Sequence, residues 1–153
     1  MDIQQEDPAS ADVHELLLEH LADMQSHSPP ESVHALDMNA LRVPAITFWT
    51  VRENGVLLGC GALKQLDAES AEIKSMKTSP SHQRRGVARR LLRRILIAAN
   101  ERNLKQVFLE TGTPEAFVPA RKLYENHGFV ECEPFADYTH DPYSVFMKFD
   151  VAD

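Results

Sequence analysis

Two cysteines, Cys60 and Cys132, are all that the 153-residue chain contains. They stand far apart and outside any CxxC context, which excludes a disulfide framework and a thiolate zinc site. Both read as small residues of the core or its border. Long apolar runs are missing too, since none reaches the ~18 residues that a membrane span requires. The start, Met1 to Ser10, is polar and acidic, unlike a secretory leader. A cytoplasmic protein with no membrane partner is therefore expected. Positive charge is in deficit. A net charge of −7 suits neither nucleic acid nor a membrane surface, because phosphate contacts need clustered Lys and Arg. One stretch departs from that balance, with Arg84, Arg85, Arg89, Arg90, Arg93 and Arg94 crowded together.

Several catalytic patterns are absent as well. No G-x-S-x-G elbow occurs, so a nucleophile triad is unsupported. His14-Glu15 is followed by His20, not by a histidine at H-E-x-x-H spacing. On a helix the two histidines would lie about 240° apart, so a zinc-protease reading fails and no metal is expected.

What is present fits an ordinary soluble domain, with hydrophobic residues at 43% and charged residues at 25%. The length favours a single domain over 1–153. Its core is expected at about 46–149, after a loose start over 1–9. Ser10 can cap a first helix carrying Val13, Leu17, Leu21 and Met24 at helical spacing. Pro29-Pro30 ends it, and a short helix is expected around Val33 to Leu41. Ile46 to Glu53 and Val56 to Lys64 read as strands joined by Asn54-Gly55, a two-residue hairpin signal. Ala71 to Thr78 reads as a third strand, with Ile73 on one face and Glu72, Lys74 and Met76 on the other. Val87 to Glu101 is the clearest helix, with Val87, Leu91, Leu92, Ile95, Ala98 and Ala99 as its apolar stripe. A strand over Val107 to Thr111, a helix over Ala116 to His127 stopped by Gly128, and strands over Phe129 to Glu133 and Ser144 to Phe149 complete the order. A hairpin meander combined with helical crossovers predicts a mixed α/β fold. Its centre is a mixed, twisted sheet flanked by about four helices.

The segment from Lys77 to Arg89 carries the most information. A strand ends, a loop turns, and an amphipathic helix begins. The first amides of such a helix lack intrahelical partners and can point at an anion. Gly86 lets the backbone approach a ligand, and Ala88 is small. The pattern Gln83-x-x-Gly86-x-Ala88 is neither G-x-G-x-x-G nor a P-loop. It resembles the Q/R-x-x-G-x-G/A signature of the GNAT N-acetyltransferase superfamily. The preceding Met76-Lys77-Thr78 and Pro80 match that family's approach to the loop. Ala120-x-x-Leu123-Tyr124-x-x-x-Gly128-Phe129 matches its second landmark. The likeness runs from about Ile46 to Phe149. Leu109-Glu110-Thr111-Gly112 departs from it where many relatives carry Asn, which puts cofactor contacts from that strand in doubt.

The resemblance implies an acyltransferase that uses acetyl-CoA. Met76, Lys77 and Thr78 would pair with the pantetheine arm. Gln83, Arg84, Arg85, Gly86, Val87, Ala88 and Arg89 would hold the pyrophosphate, with Arg84 and Arg85 also within reach of the 3′-phosphate. Arg90, Arg93 and Arg94 are left as a solvated face. Acetyl transfer needs the amine deprotonated, the oxyanion stabilised and the thiolate tolerated. The resemblance places Tyr124 beside the sulfur and Glu72 as base. A carboxylate in a half-buried cleft is expected to have a raised pKa. An ion pair with Lys74 is the competing role for Glu72, and Glu110 is the reserve base. Amides of Lys74 to Met76 can polarise the thioester carbonyl. Ser32, His34, Phe117, Phe135, Asp137 and Tyr138 are expected to shape the amine pocket. The acceptor is expected to be a small-molecule amine. A protein lysine or N-terminus is the first alternative, and a non-catalytic acyl-CoA-binding module is the second. The resemblance also implies a homodimer as one assembly.

Overall fold

A computed structural model of the chain describes residues 1–32 and 39–151. Ile46–Glu53 (β2) and Val56–Gln65 (β3) form the expected hairpin. Asn54 and Gly55 turn it with φ of 52° and 80°, the left-handed conformations that a tight hairpin needs. Ser70–Thr78 (β4) continues the meander antiparallel to β3. Val87–Glu101 (α2) then crosses over, and Gln106–Gly112 (β5) returns parallel to β4. A 3-10 turn at Glu115–Phe117 leads into Val118–Asn126 (α3). The chain closes with Val130–Glu131 (β6) and Ser144–Asp150 (β7).

The first residues are not loose. Asp2–Gln5 (β1) pairs antiparallel with β2, running from Asp2 opposite Arg52 to Gln5 opposite Trp49. Three of its four residues are exposed, so no apolar alternation marked it as a strand. The ladder to β2 and the packing of Ile3 on the core hold it, and charge anchors the chain that follows. Arg52 donates to Glu6 at 2.7 Å and to Asp12 at 2.6 Å. It thereby ties the chain between β1 and the helix Ala11–His27 (α1) to the hairpin.

The sheet order is β1-β2-β3-β4-β5-β7-β6. Among the described residues three α-helices flank it. The helix expected around Val33 to Leu41 falls mostly outside the described residues, and Ala40–Arg42 forms only a 3-10 turn. One face of the sheet carries α2 and α3. There Trp49, Val51, Leu63, Ile73, Val107 and Leu109 bury the predicted stripe of α2 and Tyr124 of α3. The other face carries α1, whose Val13, Leu16 and Leu17 pack with Phe48, Cys60 and Ala62.

Arg52 generates a stability prediction. Its guanidinium holds Glu6 below the ordinary carboxylate range and Asp12 at about 2. A depressed folded pKa stabilises above the unfolded value and loses that contribution as pH falls. Arg52→Ala should therefore cost about 1–2 kcal/mol in urea unfolding at pH 7. The deficit should shrink between about pH 4 and pH 2.

Candidate active site

The parallel strands β4 and β5 pair only from Ser70↔Gln106 to Ile73↔Leu109. Beyond that point β4 stays with β3 as far as Thr78, while β5 stays with β7 as far as Gly112. The sheet therefore opens into a V. A bulge drives β4 away. Ser75 adopts φ 56°, and Ser75 and Met76 have no partners in the β3–β4 register, which passes from Ala62↔Lys74 to Cys60↔Lys77. Cys60 Sγ donates to the Ser75 carbonyl at 3.4 Å, so the thiol is a buried core residue, pushed up to about 12 by burial.

The bulge also corrects one expectation. It shifts side-chain parity, so Met76 joins Ile73 on the α2 face instead of sharing a face with Glu72 and Lys74. There its Sδ occupies the space of a Gly61 side chain, 2.5 Å from where a Cβ would lie. Gly61 is required for this close approach.

The V holds a cavity of about 110 Å³. His20 and Met24 of α1, with Glu72 and Lys74 of β4 and Glu110 of β5, belong to the α1 face. Ile73, Leu109, Thr111, Ala120 and Tyr124 line the α2–α3 side, and Phe117 closes the cavity edge-on to His27 of α1, with 6.2 Å between ring centroids. Phe117 sits where any Gly112 side chain would be. Arg121 fixes the adjoining turn by donating to the carbonyls of Gly112 and Thr113 at 2.5 and 3.2 Å.

Glu72 is 3% exposed and bonded through its Oε2. It accepts from Tyr138 Oη at 2.6 Å and from Lys74 Nζ at 3.2 Å. Lys74 also donates to Tyr138 Oη at 2.8 Å. Burial pushes Tyr138 far above the ordinary phenol range, with Glu72 adding to the effect. The expected ion pair of Glu72 with Lys74 is thus present. Glu110 stands apart from that triad. Burial pushes it up to about 7, against the opposing pull of the Ser144 side chain and the Lys74 charge. Burial also pushes Tyr124 up to about 12.

At the mouth of the V, a 3-10 turn at Pro80–His82 leads to the segment before α2. Arg84 and Gly86 have φ of 64° and 80°. Among the described residues, no protein acceptor takes an amide of Gln83 to Arg89, and the first helical bond is Arg90 N–H to Gly86 carbonyl at 3.1 Å. No atom lies within 4 Å of a Cβ built on Gly86. These free donors, open space and a helix N-terminus fit a diphosphate.

The side chains around the loop are less uniform. Arg85 is drawn to Glu53 at 3.0 Å and Lys77 to Asp23 at 3.3 Å. Val87 points into the core, and Thr78 remains paired with Gly59. Arg84, Ala88 and Arg89 frame the open side of the loop.

Of the expected amine-pocket residues, Phe117 reaches the cleft, and Tyr138 touches it through Glu72. Ser32 is buried on Asp141 at 2.6 Å. Phe135 stacks on Phe108 with 4.8 Å between ring centroids. Phe135 and Asp137 line a separate shallow basin with Ser70 and Gln106. His34 lies outside the described residues. Sequence reasoning missed His20 and Met24 as cleft residues, and it placed the Ser75 amide in the site without its bulge. The α1 stripe offered the signal for the first two, and nothing in the strand pattern marked the bulge.

The acetyltransferase (GNAT) family model matches residues 11–129, more than half of the chain. The uncharacterized N-acetyltransferase YsnE of Bacillus subtilis is 53% identical over 147 residues, covering 96% of this chain and 97% of its own. An IAA acetyltransferase of Azospirillum brasilense is 39% identical over 122 residues, 78% of each chain. A GNAT family acetyltransferase structure from Elizabethkingia anophelis, with acetyl-CoA bound, superposes with a TM-score of 0.71 at 16% identity, covering 97% of each chain. That likeness is one of fold. Among the described residues no helix is long and apolar enough to cross a membrane. With its split sheet, its open amide loop and these relatives, the chain belongs to the GNAT acetyltransferase family.

Proposed function

We propose that the protein transfers an acetyl group from acetyl-CoA to the primary amine of a small molecule by direct attack. The open row of amides from Gln83 to Arg89 carries this reading. Those amides, with the α2 N-terminus, would hold the diphosphate, and the free inner edge of β4 would take the pantetheine arm. When bound, acetyl-CoA supplies a thioester carbonyl carbon that accepts the amine and a sulfur that departs as thiolate.

The chain's own groups divide the remaining work across the split sheet. Glu110, on the α1 face and poised at about 7, takes the proton that the nitrogen sheds as the C–N bond forms. Glu72 is held by Lys74 and Tyr138, so its part is to fix the floor of the acceptor side. Amides at the Ser75 bulge, outside the β3–β4 register, serve the carbonyl oxygen. Tyr124, on the opposite face, donates a hydrogen bond to the sulfur. With its phenol pushed up to about 12, it is a weaker acid than a thiol near ~8.5, so full proton transfer from it is uphill. The narrow cavity of about 110 Å³ supports a slender acceptor group.

Gly86→Glu tests the loop. A bulky anion at a left-handed position should abolish acetyl-CoA binding in calorimetry, and unchanged affinity would contradict the reading. Glu110→Gln tests the base. Wild-type kcat/KM should rise with pH through an apparent pKa of about 7, and the variant should lose that limb and at least about a hundredfold in rate. The sign for stability is opposite to that of an ion-paired carboxylate. A raised folded pKa means that the unfolded chain ionises first, so wild-type stability falls as pH rises from about 4.5 through about 7. The variant should therefore gain on the wild type across that window.

A further inference from the structure

The buried stripe of α1 contains a residue that packing does not explain. Val13, Leu16 and Leu17 are buried against the sheet. Position 20 continues the same face by helical spacing, and Met24 follows it one turn later. At position 20 the stripe reaches the split between β4 and β5, and the residue there is His20, which lines the cleft with Ser75, Glu110 and Tyr124. An imidazole replaces the expected aliphatic side chain where the sheet gives way to the cavity.

A partly buried polar ring costs stability unless it is bonded. Among the described residues, no hydrogen bond or ion pair satisfies His20. The charges nearest to it are Lys77 and Asp23, and these pair with each other at 3.3 Å. Burial, together with the Lys77 charge, holds the ring neutral, with its pKa lowered to about 4. A neutral imidazole offers one donor and one acceptor. At pH 7 it is too weak a base to compete with Glu110.

We infer that His20 is a positioning residue for the acceptor, whose imidazole accepts one N–H of the attacking primary amine while Glu110 accepts the other. This rests on the acetyl-transfer reading above. It adds a reason for the acceptor class. A neutral primary amine has two N–H groups and one lone pair. Engaging both N–H groups, one by His20 of α1 and one by Glu110 of β5, leaves the lone pair facing the carbonyl carbon. As the C–N bond forms, the proton on the Glu110 side passes to Glu110, while His20 keeps its bond and gains no proton. A secondary amine has a single N–H, which Glu110 needs, so its second substituent must press on the His20 ring. The cleft therefore selects primary over secondary amines.

The experiment compares wild type, His20→Leu and His20→Asn. Acetyl-CoA affinity is read by calorimetry and Tm by thermal unfolding. Release of CoA thiol is followed with benzylamine and with N-methylbenzylamine. His20→Leu should not lower Tm, because an aliphatic residue completes the stripe. It should leave the acetyl-CoA Kd within about twofold and raise KM for benzylamine about tenfold. It should also narrow the preference for benzylamine over its N-methyl derivative. His20→Asn, which keeps a hydrogen-bonding group, should recover part of the KM. A fall in Tm with kinetics unchanged would overturn the proposal and make His20 a packing residue. An unchanged ratio of the two amines would overturn it as well. Failure of the wild type to bind acetyl-CoA would instead sink the reading on which it rests.

Discussion

Two parallel strands that begin paired and then part are the constraint on which the rest of the molecule depends. Paired strands satisfy each other's amides and carbonyls, and an interior edge without a partner is costly. Here the cost is contained because each strand keeps its outer neighbour. β4 remains bonded to β3, and β5 to β7, to the ends of both strands. Only the inner edges are left open, and they face one narrow cavity. The bulge at Ser75 sets the angle, and Gly61 makes room for the Met76 side chain that the bulge redirects. The loop at Gln83 to Arg89 lies just beyond the strand that the bulge has turned aside. The opening of the sheet thus follows from a backbone event more than from any single side chain.

Within that opening, two carboxylates on neighbouring strands acquire different characters. Glu72 receives a lysine and a tyrosine. At Glu110 burial outweighs the pull of Ser144 and Lys74, and its pKa moves toward neutrality. One is held by neighbouring side chains and the other is governed by burial, a separation that the environments impose on the same chemical group. The split sheet also separates tasks in space. Glu110 belongs to the face of α1, while Tyr124 rises from α3 on the other side.

Much of this was legible in the sequence. The Asn54-Gly55 turn, the α2 stripe and the Gln83-x-x-Gly86-x-Ala88 loop each rest on a local rule: positive φ, a period of 3.6, or free amides at a helix start. Each appears where the rule puts it. What escaped depends on partners distant in the chain. β1 lies on β2, the chain after it is anchored by Arg52, forty-six positions after Glu6, and its own residues show no alternation. The bulge reversed the face of Met76, because parity counted along a strand assumes an unbroken ladder. The resemblance named Glu72 as base, with Glu110 as its reserve. The lysine and tyrosine that occupy Glu72 come together only in the fold, since Tyr138 lies sixty-six residues away. His20 was set aside because its spacing fails as a zinc motif, and the stripe read through Leu17, Leu21 and Met24 passed beside it.

The central claim is that the amides from Gln83 to Arg89 await an anionic ligand. Amide proton–nitrogen correlation spectra of the isotopically labelled protein, recorded through a titration with acetyl-CoA, test it most directly. The account predicts that these amides shift together in saturable fashion and become protected from hydrogen exchange, while those of the β6 edge stay fixed. Saturable binding that perturbs another segment and leaves Gln83 to Arg89 unmoved would contradict it.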